Sequence, residues 1–260
     1  MLRTATPRGS AWQGFAVTSR RDRWWVEPAL TGIGFALFIV YSLFSAFVWL
    51  PLFGVPYAAQ GYLSPFFSPL FGQGILPPLT PAILILWAPL GFRATCYYYR
   101  KFYYRAYFAD PPACAVGEPR AHGRYALERR LPFILQNLHR FFLYAAFVPL
   151  AFLWIDALLS LRFEDHWRIG LGSAVLLVNA GLLSGYSLSC HSLRHLVGGR
   201  LDCFSCGYAA RARHGAWRFL TVLNERHMQW AWASLISVAL ADLFVRLLAA
   251  GVISDPRIML

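Results

Sequence analysis

Three cysteines and two histidines crowd the segment from Cys190 to Cys206, CHSLRHLVGGRLDCFSC, in a chain that is otherwise mostly apolar. His191 and His195 are four apart, so on a helix they share one face and could grip one metal together. Cys203 and Cys206 form a CxxC, a short chelate for a thiophilic metal. Two imidazoles and two thiolates are the ligand set of a Rieske-type [2Fe–2S] centre, in which histidines replace cysteines on one iron. Zinc accepts the same donors in a closed tetrahedral site, and ligand chemistry alone does not separate the two. An isolated cysteine is more often a small buried hydrophobe. HxxxH and CxxC in one short loop favour a metal.

Other residues could join or replace these. Cys114, in DPPACAV, follows a double proline that stiffens its approach. It could supply one thiolate in place of Cys206 or Cys190. Cys96 lies within an apolar stretch and reads as packing. His139 in QNLHRFF and His227 in NERHMQW each open an apolar run. A histidine in a membrane segment marks function. These two could be axial ligands of a b-type haem or neighbours of a quinone head group, with Arg140 and Trp230 beside them. Arg93, Tyr97 and Arg100 are spaced to share a helical face, and an arginine so placed needs a quinone carbonyl, a propionate or a carboxylate. Asp242 and Arg246 are an i, i+4 pair, with Asp156 a candidate third member, and read as structural glue.

The elements that must position these groups are membrane spans. Of 260 residues, 58% are hydrophobic and only 14% charged, against about 25% charged in soluble domains. Runs of about 20 apolar residues predict an all-α integral membrane protein with a five-helix bundle. The spans are expected near 29–53, 81–105, 134–160, 169–190 and 228–252. The second is expected to run on as a helix through Arg100. Residues 1–28 read as a cytoplasmic arm rather than a cleaved signal peptide, because no short apolar core with a small-residue cleavage site is present. Residues 253–260 form a tail. Net charge is +12, and Lys101 is the sole lysine among 24 basic residues. All of the basic residues except Arg162, Arg168, Arg246 and Arg257 fall on one side of this topology. The positive-inside rule then puts the N-terminus in the cytoplasm, the C-terminus outside, and the Cys/His segment at the cytoplasmic face. No arginine stripe on a soluble fold suggests nucleic acid. No GxGxxG follows a predicted strand, which argues against a dinucleotide site.

The stretches YYRKFYYRAYFADPPACAVGEP, RLPFILQNLHRFF and GYSLSCHSLRHLVGGRLDCFS resemble the membrane-anchor (cytochrome b-like, C) subunit of haem-free succinate dehydrogenases of actinobacterial type. The resemblance covers most of residues 24–252 and is most specific in CHSLRHLVGG…DCFS. It implies a five-helix anchor in the bacterial cytoplasmic membrane, not catalytic alone, carrying a Rieske-type cluster between an iron–sulfur subunit and membrane quinone, either menaquinone or ubiquinone. It also implies a flavoprotein subunit that oxidises succinate, and leaves a higher oligomer open. By the same resemblance His191 and His195 would ligate one iron, and Cys203 with Cys114 or Cys206 the other, with His139 able to replace one imidazole. The CxH and CxxH loops of the soluble β-type Rieske fold are missing. The basic residues Arg120, Arg124, Arg129, Arg130, Arg211 and Arg213 would dock the iron–sulfur partner through charge. Two readings compete: a haem b anchor using pairs among His139, His191, His195 and His227, and a non-redox scaffold with structural zinc.

Overall fold

The structure is a computed structural model that describes residues 14–70, 81–118, 129, 133–163 and 166–259. Its helices are α1 (Val26–Phe47), α2 (Trp49–Phe53), α3 (Ala82–Ala94), α4 (Tyr97–Tyr103), α5 (His139–Leu159), α6 (Leu171–Leu188), α7 (His191–Gly198), α8 (Tyr208–Glu225) and α9 (His227–Ala249). A hairpin joins β1 (Ala58–Ala59) to β2 (Tyr62–Leu63). A small antiparallel sheet orders β3 (Arg162–Phe163), β4 (His166–Gly170) and β5 (Arg257–Met259).

Four helices are long and apolar enough to cross a bilayer: Val26–Phe47, Ile134–Leu159, Leu171–Leu188 and His227–Ala249. The second expected span is shorter. Its helix α3 stops at Ala94 because Thr95 turns out of it, and α4 starts afresh at Tyr97. The continuous helix expected through Arg100 is therefore broken, and Arg93 does not share a helix with Tyr97 and Arg100. The first span also ends earlier than expected, at Phe47, with α2 a separate short helix.

The chain divides into two compact units, one of residues Met1–Leu37 and Tyr97–Leu135, the other of Phe38–Cys96 and Gln136–Leu260. In the first, Phe35 packs on Tyr99 with ring centroids 5.3 Å apart. Tyr107 donates its hydroxyl to Gly32 O at 2.7 Å. Arg20 bonds Asp22 through Nε at 2.7 Å and donates Nη1 to the carbonyl of Cys114 at 2.9 Å. The Cys114 thiol itself is free and exposed.

The second unit holds the bundle. Its helices turn Leu84, Trp87, Phe141, Val148, Ile236 and Leu240 outward. That arrangement costs nothing where the solvent is lipid. Small residues let the helices approach: Gly172, Ser173 and Ala180 of α6 and Ala231, Ser234 and Ala241 of α9 are buried. Gly185 is required by a neighbour, since a Cβ there would lie 2.6 Å from the Trp230 ring. Asp242 and Arg246 are both fully buried and 3.7 Å apart. Asp242 accepts from Tyr41 at 2.5 Å, from Ser45 at 2.6 Å and from Ser64. Arg246 donates to Ser45 O at 2.7 Å and Val55 O at 2.9 Å. Asp156 does not join this group; the Ser68 hydroxyl donates to it instead. These bonds tie α9 to the end of α1 through Tyr41 and Ser45 and to the segment after it through Val55 and Ser64.

Candidate functional site: a buried His/Cys quartet

Where α3 and α6 end and α5 and α9 begin, two cysteines and two histidines meet. Cys96 follows α3, His139 is the first residue of α5, Cys190 precedes α7, and His227 is the first residue of α9. Cys96, Cys190 and His227 are 2%, 1% and 3% exposed; His139 is half-buried. The Nε2 of His139 lies 3.3 Å from Cys190 Sγ. The Nε2 of His227 lies 3.5 Å from Cys96 Sγ. Cys190 is within electrostatic reach of Cys96, and His139 of His227. The four thus form two matched His–Cys pairs.

The other ring nitrogens are held with the same symmetry. Thr95 Oγ1 is 3.0 Å from His139 Nδ1, and Ser189 Oγ is 2.6 Å from His227 Nδ1. Each hydroxyl caps the helix it ends, Thr95 donating to Gly91 O at 2.7 Å and Ser189 to Tyr186 O at 2.9 Å. A hydroxyl has one proton. With that proton given to a helix carbonyl, each oxygen can only accept from the imidazole. This assignment of the hydroxyl proton places the imidazole proton of both histidines on Nδ1 and turns an Nε2 lone pair toward sulfur, the tautomer of a ligand bound through Nε2.

Aromatic rings fix the planes. His139 stacks on Phe92 at 4.9 Å and 13°, and His227 on Tyr186 at 5.2 Å and 20°. Phe92 and Tyr186 meet at 5.1 Å, closing the row. The Arg93 guanidinium lies over Tyr186 at 4.7 Å and donates to Ala231 O at 3.2 Å and Ser234 Oγ at 3.0 Å. These contacts hold the buried guanidinium against α9 and the Tyr186 ring. Phe92, Arg93 and Tyr186 also line an apolar cavity of about 90 Å³, together with Pro89, Pro149 and Leu150. Burial raises the Cys190 thiol to about 11, so it becomes a thiolate only beside a cation.

The loop residues singled out from spacing fare differently. His191 and His195 do share a face of α7, with ring centroids 5.2 Å apart, and both are exposed. Partial burial, then His195 and Arg194, lower the affinity of His191 for a proton. Cys203 and Cys206 are bonded to each other as a disulfide, so neither offers a thiolate. Cys114 belongs to the other unit. Among the described residues no three His, Cys, Asp or Glu side chains gather as a site for a single metal ion would require. A Rieske-type cluster asks for two imidazoles on one iron and two thiolates on the other; the buried quartet holds two of each, with every imidazole in contact with a thiol. The donor chemistry fits such a cluster at Cys96, His139, Cys190 and His227, and the loop set does not come together to fit one.

Of the expected quinone neighbours, His139 and His227 point at sulfur. Arg140 is exposed. Trp230 Nε1 is buried without a hydrogen-bond partner, and its ring lines a surface pocket with Arg226, Gln229 and Ala233. Sequence spacing read Cys96 as packing and singled out neither Thr95 nor Ser189; the structure sets all three against the two histidines. The signal available was a pair of hydroxyl–thiol dipeptides, Thr95-Cys96 and Ser189-Cys190, each closing an apolar helix.

An all-α, multi-pass membrane anchor with a buried nitrogen–sulfur quartet at one end of its bundle is the class these features define. The profile of the actinobacterial succinate dehydrogenase subunit SdhC matches residues 26–251, and the chain belongs to that family. It is the non-catalytic membrane subunit of its class. The solved Mycobacterium smegmatis Sdh1 complex in the apo form contains a similar chain, with a TM-score of 0.81, 40% identity and 92% of each chain covered. Among curated protein sequences none matches.

Proposed function

We propose that the chain anchors a succinate:quinone oxidoreductase in the bacterial cytoplasmic membrane and seats a Rieske-type [2Fe–2S] cluster on Cys96, His139, Cys190 and His227. The mirrored pair of Nε2···Sγ contacts, at 3.3 and 3.5 Å, carries this reading. When bound, such a cluster supplies a one-electron relay between a partner iron–sulfur subunit and quinone. The chain's own residues do the rest. Cys96 and Cys190 bring sulfur from two helix ends, and His139 and His227 bring nitrogen from two helix starts. Phe92 and Tyr186 cover the imidazole faces and keep water off them.

The face bearing the quartet is the cytoplasmic one by the charge distribution, and a flavoprotein subunit would hand electrons to the iron–sulfur subunit docked there. Arg211 and Arg213 are exposed on α8, and Arg129 is exposed too; Arg120, Arg124 and Arg130 lie outside the described residues. Menaquinone or ubiquinone would approach Trp230 at the pocket it lines with Arg226 and Gln229.

EPR with iron, sulfide and zinc quantification on the purified complex tests the assignment. Wild type is expected to show a rhombic signal of low average g with iron and sulfide in equal amounts. Cys96→Ser and Cys190→Ser should abolish it, while the Cys203→Ser/Cys206→Ser double variant should keep it. The opposite pattern moves the site to the loop, and zinc without iron leaves only a scaffold.

A further inference from the structure

We infer that Thr95 and Ser189 are positioning residues for redox chemistry at the quartet, each fixing the imidazole that faces the other dipeptide's thiol. This rests on the quartet being the cluster site. The arrangement is crossed. Thr95 holds His139, whose Nε2 faces Cys190; Ser189 holds His227, whose Nε2 faces Cys96. Each hydroxyl–thiol dipeptide thus acts on both histidines, one through oxygen and one through sulfur.

Local structure explains why the hydroxyls can do this. Thr95 and Ser189 are both C-caps with nearly the same backbone, φ −90°, ψ −3° and φ −75°, ψ −1°. Side chains of this type bond back to carbonyls of the last helical turn, which commits their proton. Both are buried, Thr95 at 7% and Ser189 at 0% exposed, so no water competes for the oxygen. Asn224 adds a brace, donating to the Ser189 carbonyl at 2.7 Å. The bond fixes both tautomer and ring rotation. A group that accepts from the outer N–H of a ligating histidine also raises its basicity, and loss of such a partner costs about 10–100-fold in metal affinity.

The test uses the purified complex and reads the cluster rather than turnover. Thr95→Val and Ser189→Ala are expected to lose iron to a chelator about 10–100-fold faster than wild type and to shift the reduction potential. Thr95→Ser and Ser189→Thr, which keep an oxygen, should restore both properties. Wild-type retention and potential in the valine and alanine variants would overturn the inference. So would wild-type pulsed EPR showing coordination through Nδ1, a measurement that needs no variant to assemble. A wild-type complex without any two-iron signal defeats the cluster assignment instead.

Discussion

Tyr186 is the side chain on which the ring row turns, and replacing it isolates what that row contributes. It stacks on His227 at 5.2 Å, touches Phe92 at 5.1 Å and lies under the Arg93 guanidinium at 4.7 Å. Each aromatic pair contributes about 0.5–1.5 kcal/mol beyond burial. A desolvated cation–π contact adds about 0.5–2 kcal/mol. Tyr186→Leu keeps an apolar side chain of moderate size but removes all three contacts, a loss of about 1.5–5 kcal/mol if the terms add. Because the ring also holds the His227 plane, the loss falls on the site as well as on the fold. Thermal unfolding of the detergent-solubilised complex should drop for Tyr186→Leu, and its EPR g values should broaden. Tyr186→Phe, which keeps the ring, should leave the g values as they are. If Tyr186→Leu matches wild type in both measurements, the aromatic row does not position the imidazole and the account of the site is wrong.

Asp242→Asn should destabilise the complex by about 3–5 kcal/mol, because Arg246 is left as an uncompensated buried charge; a melting curve for Asp242→Asn and for Asp242→Asn/Arg246→Met checks this, the double variant being the more stable. Gly185→Val should push α6 away from α9, since even a Cβ would sit 2.6 Å from the Trp230 ring, and should cost about 1–3 kcal/mol, read as a lower melting point of the complex. Trp230→Phe removes the indole N–H and is expected to raise the KM for a short-chain quinone while leaving the cluster EPR signal unchanged; an unaltered KM would take Trp230 out of the quinone path.

The membrane spans were legible because a bilayer demands length and apolarity, and both are local properties. Breaks and bonds between distant residues were less legible. The second apolar stretch gives no warning at Thr95, since what ends α3 there is a side chain folding back on Gly91. Cys96 looked like packing because its partner, His227, is 131 residues away, and spacing rules see only neighbours in sequence. The dense HxxxH and CxxC of the loop drew the cluster assignment for the converse reason. Those residues do pair locally, His191 with His195 and Cys203 with Cys206, but local density alone did not assemble a set of four. His139 and His227 were singled out on the strength of their membrane setting, and the sulfurs that face them are too distant in sequence for spacing to show.

The order of the four proposed donors along the chain explains how a bundle can gather such a set without a dedicated loop. Read in sequence, they alternate: Cys96 after α3, His139 opening α5, Cys190 after α6, His227 opening α9. Consecutive spans run antiparallel, so the end of one and the start of the next lie at the same face. Cysteine at two span ends and histidine at two span starts must then collect at one side of the bundle. The caps supply the rest, because a helix end needs its last carbonyls satisfied, and a Thr or Ser that does so has an oxygen left to accept from an imidazole. Capping and imidazole orientation thus run through the same hydroxyl oxygen, which predicts that Thr95 and Ser189 variants will disturb the proposed cluster before they disturb the helices. Circular dichroism beside chelation kinetics on the same samples separates the two: unchanged helix content with faster iron loss is the expected outcome, and parallel loss of both would reduce the hydroxyls to ordinary caps.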